Sequence, residues 1–420
     1  MISINTNRIG TYKHVFLIVC SIFLLLSCEK TSSTVKASDL LGNDAYPAIC
    51  YSGYRTDSRA VEPSIEEIKS DLILLHELGY RIIRTYNVHF EHTANILDAI
   101  TELKQNDSDF DMFVMLGVWI NCKGAFSDNI DHSQEDYEGN LKEARTAFNL
   151  VKQYPEIVKI IAVGNEAMVH WQTDYFVGPQ VILSWVNYFQ ELKKTNQIPQ
   201  DIWVTSSDNF ASWGGGDTSY HNDYLVQLYH AVDYISMHTY PFHDTYYSQI
   251  LWSKGYDNIA NKVDHQMQDA VNYAINQYNA VKTYMLSLGI EKPIHIGETG
   301  WATVSSDFYG DLGTCAADEY KQQAYFIGIN DWAKANDISV FFFEAFDEAW
   351  KDFNNPTGSE NHFGLFTLKG QAKYAVWSQY NLDTLFLNSR QGKPLNKTYN
   401  GNVDSLKSNV RDGKIFKYGI

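Results

Sequence analysis

The 420-residue sequence lacks the motifs by which nucleotide-binding and metal-binding proteins are recognised. It contains no G-x-G-x-x-G or G-x-x-x-x-G-K loop to hold a phosphate, and no Cys-x-x-Cys or Cys/His spacing to hold a metal ion. Basic residues are also few, because 33 Lys and Arg stand against 50 Asp and Glu and leave a formal net charge of -17. Such a charge repels nucleic acid. The sequence therefore predicts no nucleic-acid partner, no metal and no other cofactor.

Cysteine is scarce as well, with five residues in the whole chain. Cys20 and Cys28 lie in the N-terminal segment described next, which leaves Cys50, Cys122 and Cys315. Because an odd number of thiols cannot all pair, the sequence allows at most one disulfide. Whether any of these three cysteines pair stays open.

One apolar run near the N-terminus, residues 15–26, has the length of a signal sequence. It holds only about a dozen residues, whereas a helix that spans a bilayer needs about 20. Arg8 and Lys13 precede the run, as is typical of secretory signal peptides. The run ends in Leu-Leu-Ser-Cys28, which resembles a bacterial lipobox; an ordinary signal peptide or a short membrane anchor is the alternative.

These features predict a lipoprotein signal peptide over residues 1–28, with lipidation at Cys28. The following residues are rich in Ser, Thr and Lys and have the composition of a flexible linker, so residues 29–45 are predicted to be a tether. The expected location is that of a membrane-anchored lipoprotein, in the periplasm or on the cell surface.

From residue 46 onward, short apolar runs alternate with longer amphipathic segments, as in repeated βα units. One such segment, residues 64–78, begins with a Ser64/Glu67 capping box and ends before Gly79, so it predicts a helix. Eight candidate strands fit an α/β fold of the (β/α)8 barrel type better than an open doubly wound sheet. These strands are 48–52, 81–86, 112–118, 157–163, 202–206, 234–238, 294–297 and 338–343.

A single catalytic domain is predicted over residues 46–385, followed by a polar C-terminal tail over 386–420 that is either packed on the barrel or partly disordered. Two connections are longer than a minimal barrel needs, residues 208–223 and residues 239–260. Loops at the carboxyl ends of barrel strands usually shape the binding cleft, so both are expected to border it.

Two glutamates lie at the carboxyl ends of predicted strands, where such a barrel carries its catalytic groups. Gly-Asn165-Glu166 ends the fourth candidate strand, and Gly-Glu298-Thr-Gly-Trp ends the seventh. Hydrolysis of a glycosidic bond needs one carboxylic acid to protonate the leaving oxygen and one carboxylate to attack carbon or activate water. A lone glutamate after a strand is usually a charge at a helix N-terminus, but a pair at these two strand ends predicts catalysis.

The words VGNEA, GETGW, YRIIRTY and FEAFDEAWK together resemble glycoside hydrolase family 17, the β-1,3-glucanase and laminarinase family of clan A, over residues 46–380. The resemblance implies that Glu166 is the acid/base, that Glu298 is the nucleophile, and that Glu348 and Lys351 are auxiliary residues beside the site. It further implies a retaining, endo-acting hydrolase of laminarin-like β-1,3-glucans that needs no cofactor.

Candidate sugar-binding residues lie at other predicted strand ends, where aromatic faces and polar groups can meet a glycan. Asn165 is expected to hydrogen-bond the sugar 2-hydroxyl. His238 and His243, separated across Pro241, lack the geometry of metal ligands and are interpreted as structural or cleft histidines. The remaining candidates are Tyr51, Arg55, Tyr86, Trp119, Tyr240 and Trp301.

Several alternatives remain at this point. The same fold serves β-1,3-glucanosyltransferases, in which a sugar replaces water in the second step, and hydrolases of other linkages. A non-catalytic glucan-binding surface lipoprotein is a different class, against which the intact glutamate pair argues. The sequence leaves the oligomeric state open, together with endo or exo action and tolerance of branches.

Overall fold

The computed structural model describes residues 35–247, 261–306, 315–385, 387–390 and 392–411. The predicted signal peptide, Cys28 and the start of the tether lie outside the described residues. So do residues 248–260 of the second long connection and the last nine residues of the predicted tail. Across the described part of the chain, no helix combines the length and the apolar character that a membrane crossing requires.

Eight parallel strands close into a barrel, which confirms the predicted (β/α)8 fold. They are β1 (Ala48–Cys50), β2 (Ile82–Arg84), β3 (Phe113–Val118), β6 (Val158–Asn165), β7 (Trp203–Asn209), β8 (Ile235–His238), β9 (Ile294–Gly300) and β10 (Val340–Phe343). Each of the eight predicted strands is present. Neighbours along the chain are neighbours in the sheet, and β10 pairs with β1 to close it.

A short antiparallel hairpin, β4 (Cys122–Lys123) and β5 (Asp131–Glu135), interrupts the connection after β3 and was not predicted. The sequence of β5, DHSQE, has no apolar residue and therefore no alternation to reveal a strand.

Helices surround the barrel and cover the outer face of its strands. The predicted first long helix is confirmed, because the Glu67 amide donates to Ser64 Oγ and the Ser64 amide donates to Glu67 Oε2, which closes the capping box. Gly79 follows at φ 94°, a left-handed conformation that ends the helix. The α-helices are α1 (Ala37–Leu40), α2 (Ile65–Glu77), α3 (Glu91–Asn106), α4 (Tyr137–Gln153), α5 (Pro179–Lys194), α6 (Asp223–Ala231), α7 (Pro241–Tyr247), α8 (Lys262–Ser287), α9 (Glu319–Lys334), α10 (Tyr374–Trp377) and α11 (Val403–Lys407).

Shorter helical turns occupy the connections. The first long connection, predicted as a loop over 208–223, starts with the end of β7 and then forms a π-helical turn and a 3-10 turn. Together with three turns farther along the chain, the short helical turns are Ala211–Gly215, Thr218–Tyr220, Ser359–Asn361, Leu382–Thr384 and Thr398–Gly401.

Buried polar side chains concentrate at the carboxyl ends of the barrel strands. The strands themselves are apolar and buried, as parallel strands covered by helices must be. Their last residues depart from this pattern, since Arg84, Ser207, His238 and Glu298 are all buried. Burying polar groups is costly unless they bind one another, so this end of the barrel predicts a functional site.

The described part of the predicted tail packs on the barrel through Arg390. Its Nη2 lies 2.8 Å from Oδ2 of Asp71 on α2, and its guanidinium lies 3.7 Å from the ring centre of Phe346. Arg55 Nη2 binds the other oxygen of Asp71 at 2.9 Å, and the Tyr51 hydroxyl donates to Oδ2 at 2.9 Å. Asp71 is thus a buried acceptor shared by three donors.

This cluster corrects two predicted sugar contacts. Tyr51 is 2% exposed and its hydroxyl is bound to Asp71. Arg55 divides its guanidinium between Asp71 and the carbonyl of Arg390, at 2.9 Å each. The prediction that Tyr51 and Arg55 contact the substrate is wrong, because both side chains hold the tail and α2 against the barrel.

Replacing Asp71 by alanine is expected to destabilise the fold by about 3–5 kcal/mol, because the buried cations of Arg390 and Arg55 would lose their anion. The change in the free energy of unfolding is measured by urea denaturation. Lys397→Ala is the matched control, since it breaks an exposed tail ion pair with Asp383 and is expected to cost about 0–1 kcal/mol. Equal small losses for both variants would contradict this account of the tail.

Candidate active site

Glu166 and Glu298 meet around one histidine. Glu166 directly follows β6, Glu298 lies in β9, and His238 ends β8 between them. The Nδ1 atom of His238 lies 3.1 Å from Oε1 of Glu166 and 4.0 Å from Oε1 of Glu298. These two oxygens are therefore at most about 7 Å apart, which admits the spacing of about 5–5.5 Å between the carboxyl groups of retaining glycosidases.

Glu298 is buried and bound by three donors. Its Oε2 accepts from Arg84 Nη1 at 2.8 Å and from the Tyr86 hydroxyl at 2.7 Å, and its Oε1 accepts from the Tyr240 hydroxyl at 2.6 Å. Burial alone would raise the pKa of Glu298, but His238, Arg84 and the two phenols outweigh it and hold the pKa below its ordinary value of 4.5. Glu298 is thereby kept ionised, as a nucleophile must be.

Arg84 connects the two glutamate-bearing strands and was not predicted as a site residue. Its Nη1 also donates to the Gly297 carbonyl at 2.7 Å, and its Nη2 donates to Asn165 Oδ1 at 2.6 Å. Asn165 is oriented by this bond beside the acid/base candidate. The signal for Arg84 was present, because an arginine that follows two isoleucines in a buried strand requires an anion nearby.

Glu166 is more open than Glu298 and sits on an unusual backbone. Its φ is 44°, a left-handed conformation that costs about 1–3 kcal/mol for a non-glycine residue and is found mostly at functional sites. Its amide donates to the Ser207 carbonyl at 3.0 Å. Besides the contact of Oε1 with His238, Oε2 accepts from the described residues only a long 3.4 Å bond, donated by Gln172. Glu166 is positioned to exchange a proton with a group in the cleft.

Tyr86 and Tyr240, predicted as sugar contacts, lie at the site, and their hydroxyls donate to Glu298. Their rings both pack edge-on against Phe343, at centroid distances of 6.3 Å. Their observed role is to hold Glu298. Their contact with sugar remains a prediction.

The predicted auxiliary residues lie beside Tyr86. Lys351 Nζ is 3.7 Å from Glu348 Oε2 and 5.9 Å from the ring centre of Tyr86. Glu348 also accepts hydrogen bonds from the Ser52 hydroxyl and, at 3.0 Å, from Trp350 Nε1. A further carboxyl that the sequence did not reveal, Glu344, is buried here, and burial together with the charge of Glu348 raises its pKa well above 4.5.

Trp301 is placed away from the cleft. It is fully buried, its Nε1 donates to the Ala316 carbonyl at 2.7 Å, and its ring packs against Phe242 of α7 and Tyr325 of α9. The predicted sugar contact of Trp301 is wrong, because the side chain lies between the barrel and its surrounding helices.

Cys50, Cys122 and Cys315 are unpaired. Within the ranges that the structure describes, no group of three or more His, Cys, Asp or Glu is arranged to hold a metal ion.

Comparison with known proteins gives a consistent result. Residues 48–364 match the family model described as the BtgE/BtgC glycoside hydrolase domain. The crystal structure of an endo-laminarinase from Formosa Hel1_33_131 is 50% identical in sequence, with a TM-score of 0.87 over 92% of this chain and 100% of that one.

More distant relatives share the fold. A glycoside hydrolase family 17 β-1,3-glucanosyltransferase from Rhizomucor miehei is 19% identical, with a TM-score of 0.53 over 77% of this chain and 94% of that one. A probable glucan endo-1,3-β-glucosidase of Aspergillus terreus is 24% identical over 360 residues, which cover 80% of this chain and 47% of that protein. The chain thus spans about half the length of that curated relative.

Proposed function

The chain belongs to the BtgE/BtgC glycoside hydrolase domain family, and on that basis we propose that it is a retaining, endo-acting hydrolase of laminarin-like β-1,3-glucans. The observation that carries this proposal is the convergence of Glu166 and Glu298 on His238, at a distance between the facing oxygens of at most about 7 Å that admits the spacing of a retaining pair. The endo-laminarinase at 50% identity, all of whose chain is covered, supports the linkage and the internal mode of cleavage.

In the first step of the proposed reaction, the ionised carboxylate of Glu298 attacks the anomeric carbon. Glu166 protonates the glycosidic oxygen as the bond to it breaks. The product is a glucosyl ester of Glu298 and a free glucan end. In the second step, Glu166 takes a proton from water as the water oxygen attacks the same carbon and releases Glu298.

The donors around Glu298 suit this cycle. Arg84, Tyr86 and Tyr240 stabilise the carboxylate both before attack and as it leaves. We assign Asn165 to the sugar 2-hydroxyl, because Arg84 holds its Oδ1 and fixes the plane of the amide next to Glu166. Glu348 and Lys351 are proposed to act beside the same sugar, and the Lys351 cation interacts favourably with the charge of Glu298.

Laminarin digestion by the purified protein tests this function. An endo-acting hydrolase is expected to lower the viscosity of the polymer early, while few reducing ends have formed, and to release a series of oligosaccharides. Exclusive release of one small product from the chain end would contradict endo action. The second candidate, a glucanosyltransferase, is favoured only by the fold shared with the Rhizomucor enzyme. It predicts products longer than a purified laminarihexaose substrate.

We also propose that Cys28 carries a lipid that anchors the enzyme to a membrane, in the periplasm or on the cell surface. The support is the lipobox-like sequence alone, since Cys28 lies outside the described residues. Expression of the full chain with labelled fatty acid is expected to label the wild type and not Cys28→Ser. Replacing Cys20 by serine is the matched control. Equal labelling of Cys28→Ser and the wild type would contradict the proposal.

A further inference from the structure

We infer that His238 is a positioning residue for the acid/base, and that it determines which oxygen of Glu166 delivers the proton. The inference rests on the proposed function and adds a residue to its machinery. Its starting point is that the imidazole is fully buried, so both ring nitrogens need partners within the protein. Both partners are present.

The first partner is Ser207 on β7. Its Oγ lies 2.8 Å from His238 Nε2, and the same Oγ lies 2.9 Å from Ser236 Oγ on β8. A serine hydroxyl both donates and accepts. The two serines therefore form a short chain that can run in either direction. Ser207 can donate to Nε2, which leaves the imidazole proton on Nδ1, or it can accept a hydrogen bond from Nε2.

The charges on the other side of the ring decide between the two tautomers and favour the proton on Nδ1. Nδ1 faces the carboxylates of Glu166 at 3.1 Å and Glu298 at 4.0 Å, and the buried carboxyl of Asp208 also interacts with the ring. Arg84 lies beyond Glu298 and contacts Oε2 of that carboxylate. A proton on Nδ1 is attracted by the facing anions, whereas a lone pair there would be repelled.

With its proton on Nδ1, His238 donates to Oε1 of Glu166, and this leaves Oε2 as the oxygen that exchanges the catalytic proton. Among the side chains that the structure describes, Oε2 has only the long 3.4 Å bond from Gln172, which a glycosidic oxygen can replace. When Glu166 gives up its proton, the Nδ1–H···Oε1 bond becomes a bond to an anion and strengthens. His238 thus stabilises Glu166 most in the state that follows proton transfer.

Two conservative variants separate this role from simple packing. In His238→Asn the amide nitrogen can take the place of Nδ1 and donate to Glu166. In His238→Gln the longer side chain places its polar end near the position of Nε2 and Ser207 instead. For laminarin, we expect kcat/KM to fall about 10- to 100-fold in His238→Gln, the range of a lost hydrogen bond to a charged group, and to fall less in His238→Asn.

The selective readout is an aryl β-laminaribioside with an acidic phenol, which leaves without protonation. The kcat/KM for this substrate reports only formation of the glycosyl-enzyme, so it includes the effect of His238 on the charge of Glu298 but not its effect on proton donation. His238→Gln is therefore expected to lower it at least threefold less than it lowers kcat/KM for laminarin. The control is His295→Gln, a buried histidine near the opposite end of β9 whose Nδ1 accepts from the Ser339 amide. His295→Gln is expected to change kcat/KM for both substrates by one common factor.

Two results would overturn the inference while leaving the proposed function intact. One is an equal loss of kcat/KM for laminarin and for the aryl substrate in His238→Gln, which would show that His238 acts through Glu298 or through the stability of the fold. The other is an unchanged kcat/KM for laminarin in that variant. Failure of the wild type to cleave laminarin would instead refute the proposed function, so the two failures are distinguishable.

Discussion

Replacement of Glu298 by alanine is expected to abolish turnover of laminarin, with kcat lower by at least about 10⁴-fold. The reason is that no other anion stands where Glu298 does. Its carboxylate is held by Arg84, Tyr86 and Tyr240 from one side and faces Glu166 across His238. The alanine variant keeps these surrounding residues and loses the carboxylate that is proposed to attack carbon.

Rescue by azide tests whether the group removed in Glu298→Ala is the nucleophile. In Glu298→Ala, azide can enter the space of the lost carboxylate and displace the phenol of an aryl β-glycoside directly, from the face opposite the leaving group. With the β-glycoside the product is expected to be the α-glycosyl azide. Glu156→Ala is the matched control, because Glu156 is exposed and precedes the amino end of β6, and it is expected to retain full activity. Formation of the β-azide by Glu298→Ala would contradict the assignment.

Replacement of Glu166 by alanine is expected to lower kcat/KM for laminarin by about 10²–10⁴-fold, the usual contribution of general acid catalysis. The effect should depend on the leaving group. An aryl β-laminaribioside with an acidic phenol needs no proton donor, so its first step is expected to stay fast. The second step loses its general base, so the glycosyl-enzyme accumulates and a burst of phenol precedes slow turnover.

Azide is expected to give the opposite anomer of the glycosyl azide in Glu166→Ala. Because the nucleophile is intact, azide attacks the glycosyl-enzyme in place of water and yields the β-glycosyl azide. A uniform loss on laminarin and on the aryl substrate, without a burst, would show that Glu166 does not act as the proton donor.

The barrel was predictable because its strands carry their own signal. Parallel strands covered by helices are apolar along their whole length, and all eight stood out between amphipathic segments. The hairpin β4–β5 carried no such signal, since β5 is a run of polar residues held by its neighbours. The position of Glu166 and Glu298 followed from the strands, because a barrel brings the carboxyl ends of its strands to one face.

Side-chain direction was harder to predict than position. Trp301 and Tyr240 both follow a barrel strand within two or three residues of a buried polar group, yet the Tyr240 hydroxyl binds Glu298 and Trp301 packs in the helical layer. Tyr51 and Arg55 were misassigned for another reason. Their true partners are Asp71 and Arg390, and Arg390 lies 335 residues after Arg55 along the chain. No local pattern contains such a contact.

Arg84 was not recognised from the sequence, and His238 was interpreted only as a structural or cleft histidine. Each is a polar residue at the end of a short buried strand, IIR and ISMH, where the barrel would otherwise be apolar. In the structure, Arg84 contacts Glu298 and His238 contacts Glu166. Arg84 keeps Glu298 charged, and His238 lies between the two carboxylates.

The most direct test of the catalytic account is covalent trapping. A 2-deoxy-2-fluoro laminaribiosyl fluoride slows both steps and lets the glycosyl-enzyme accumulate, so that mass spectrometry of the intact and peptic protein can locate the label. The account predicts one added fluoro-laminaribiosyl group, on the peptide that contains Glu298. A label on Glu166, or hydrolysis that proceeds with no covalent intermediate and with inversion at the anomeric carbon, would contradict it.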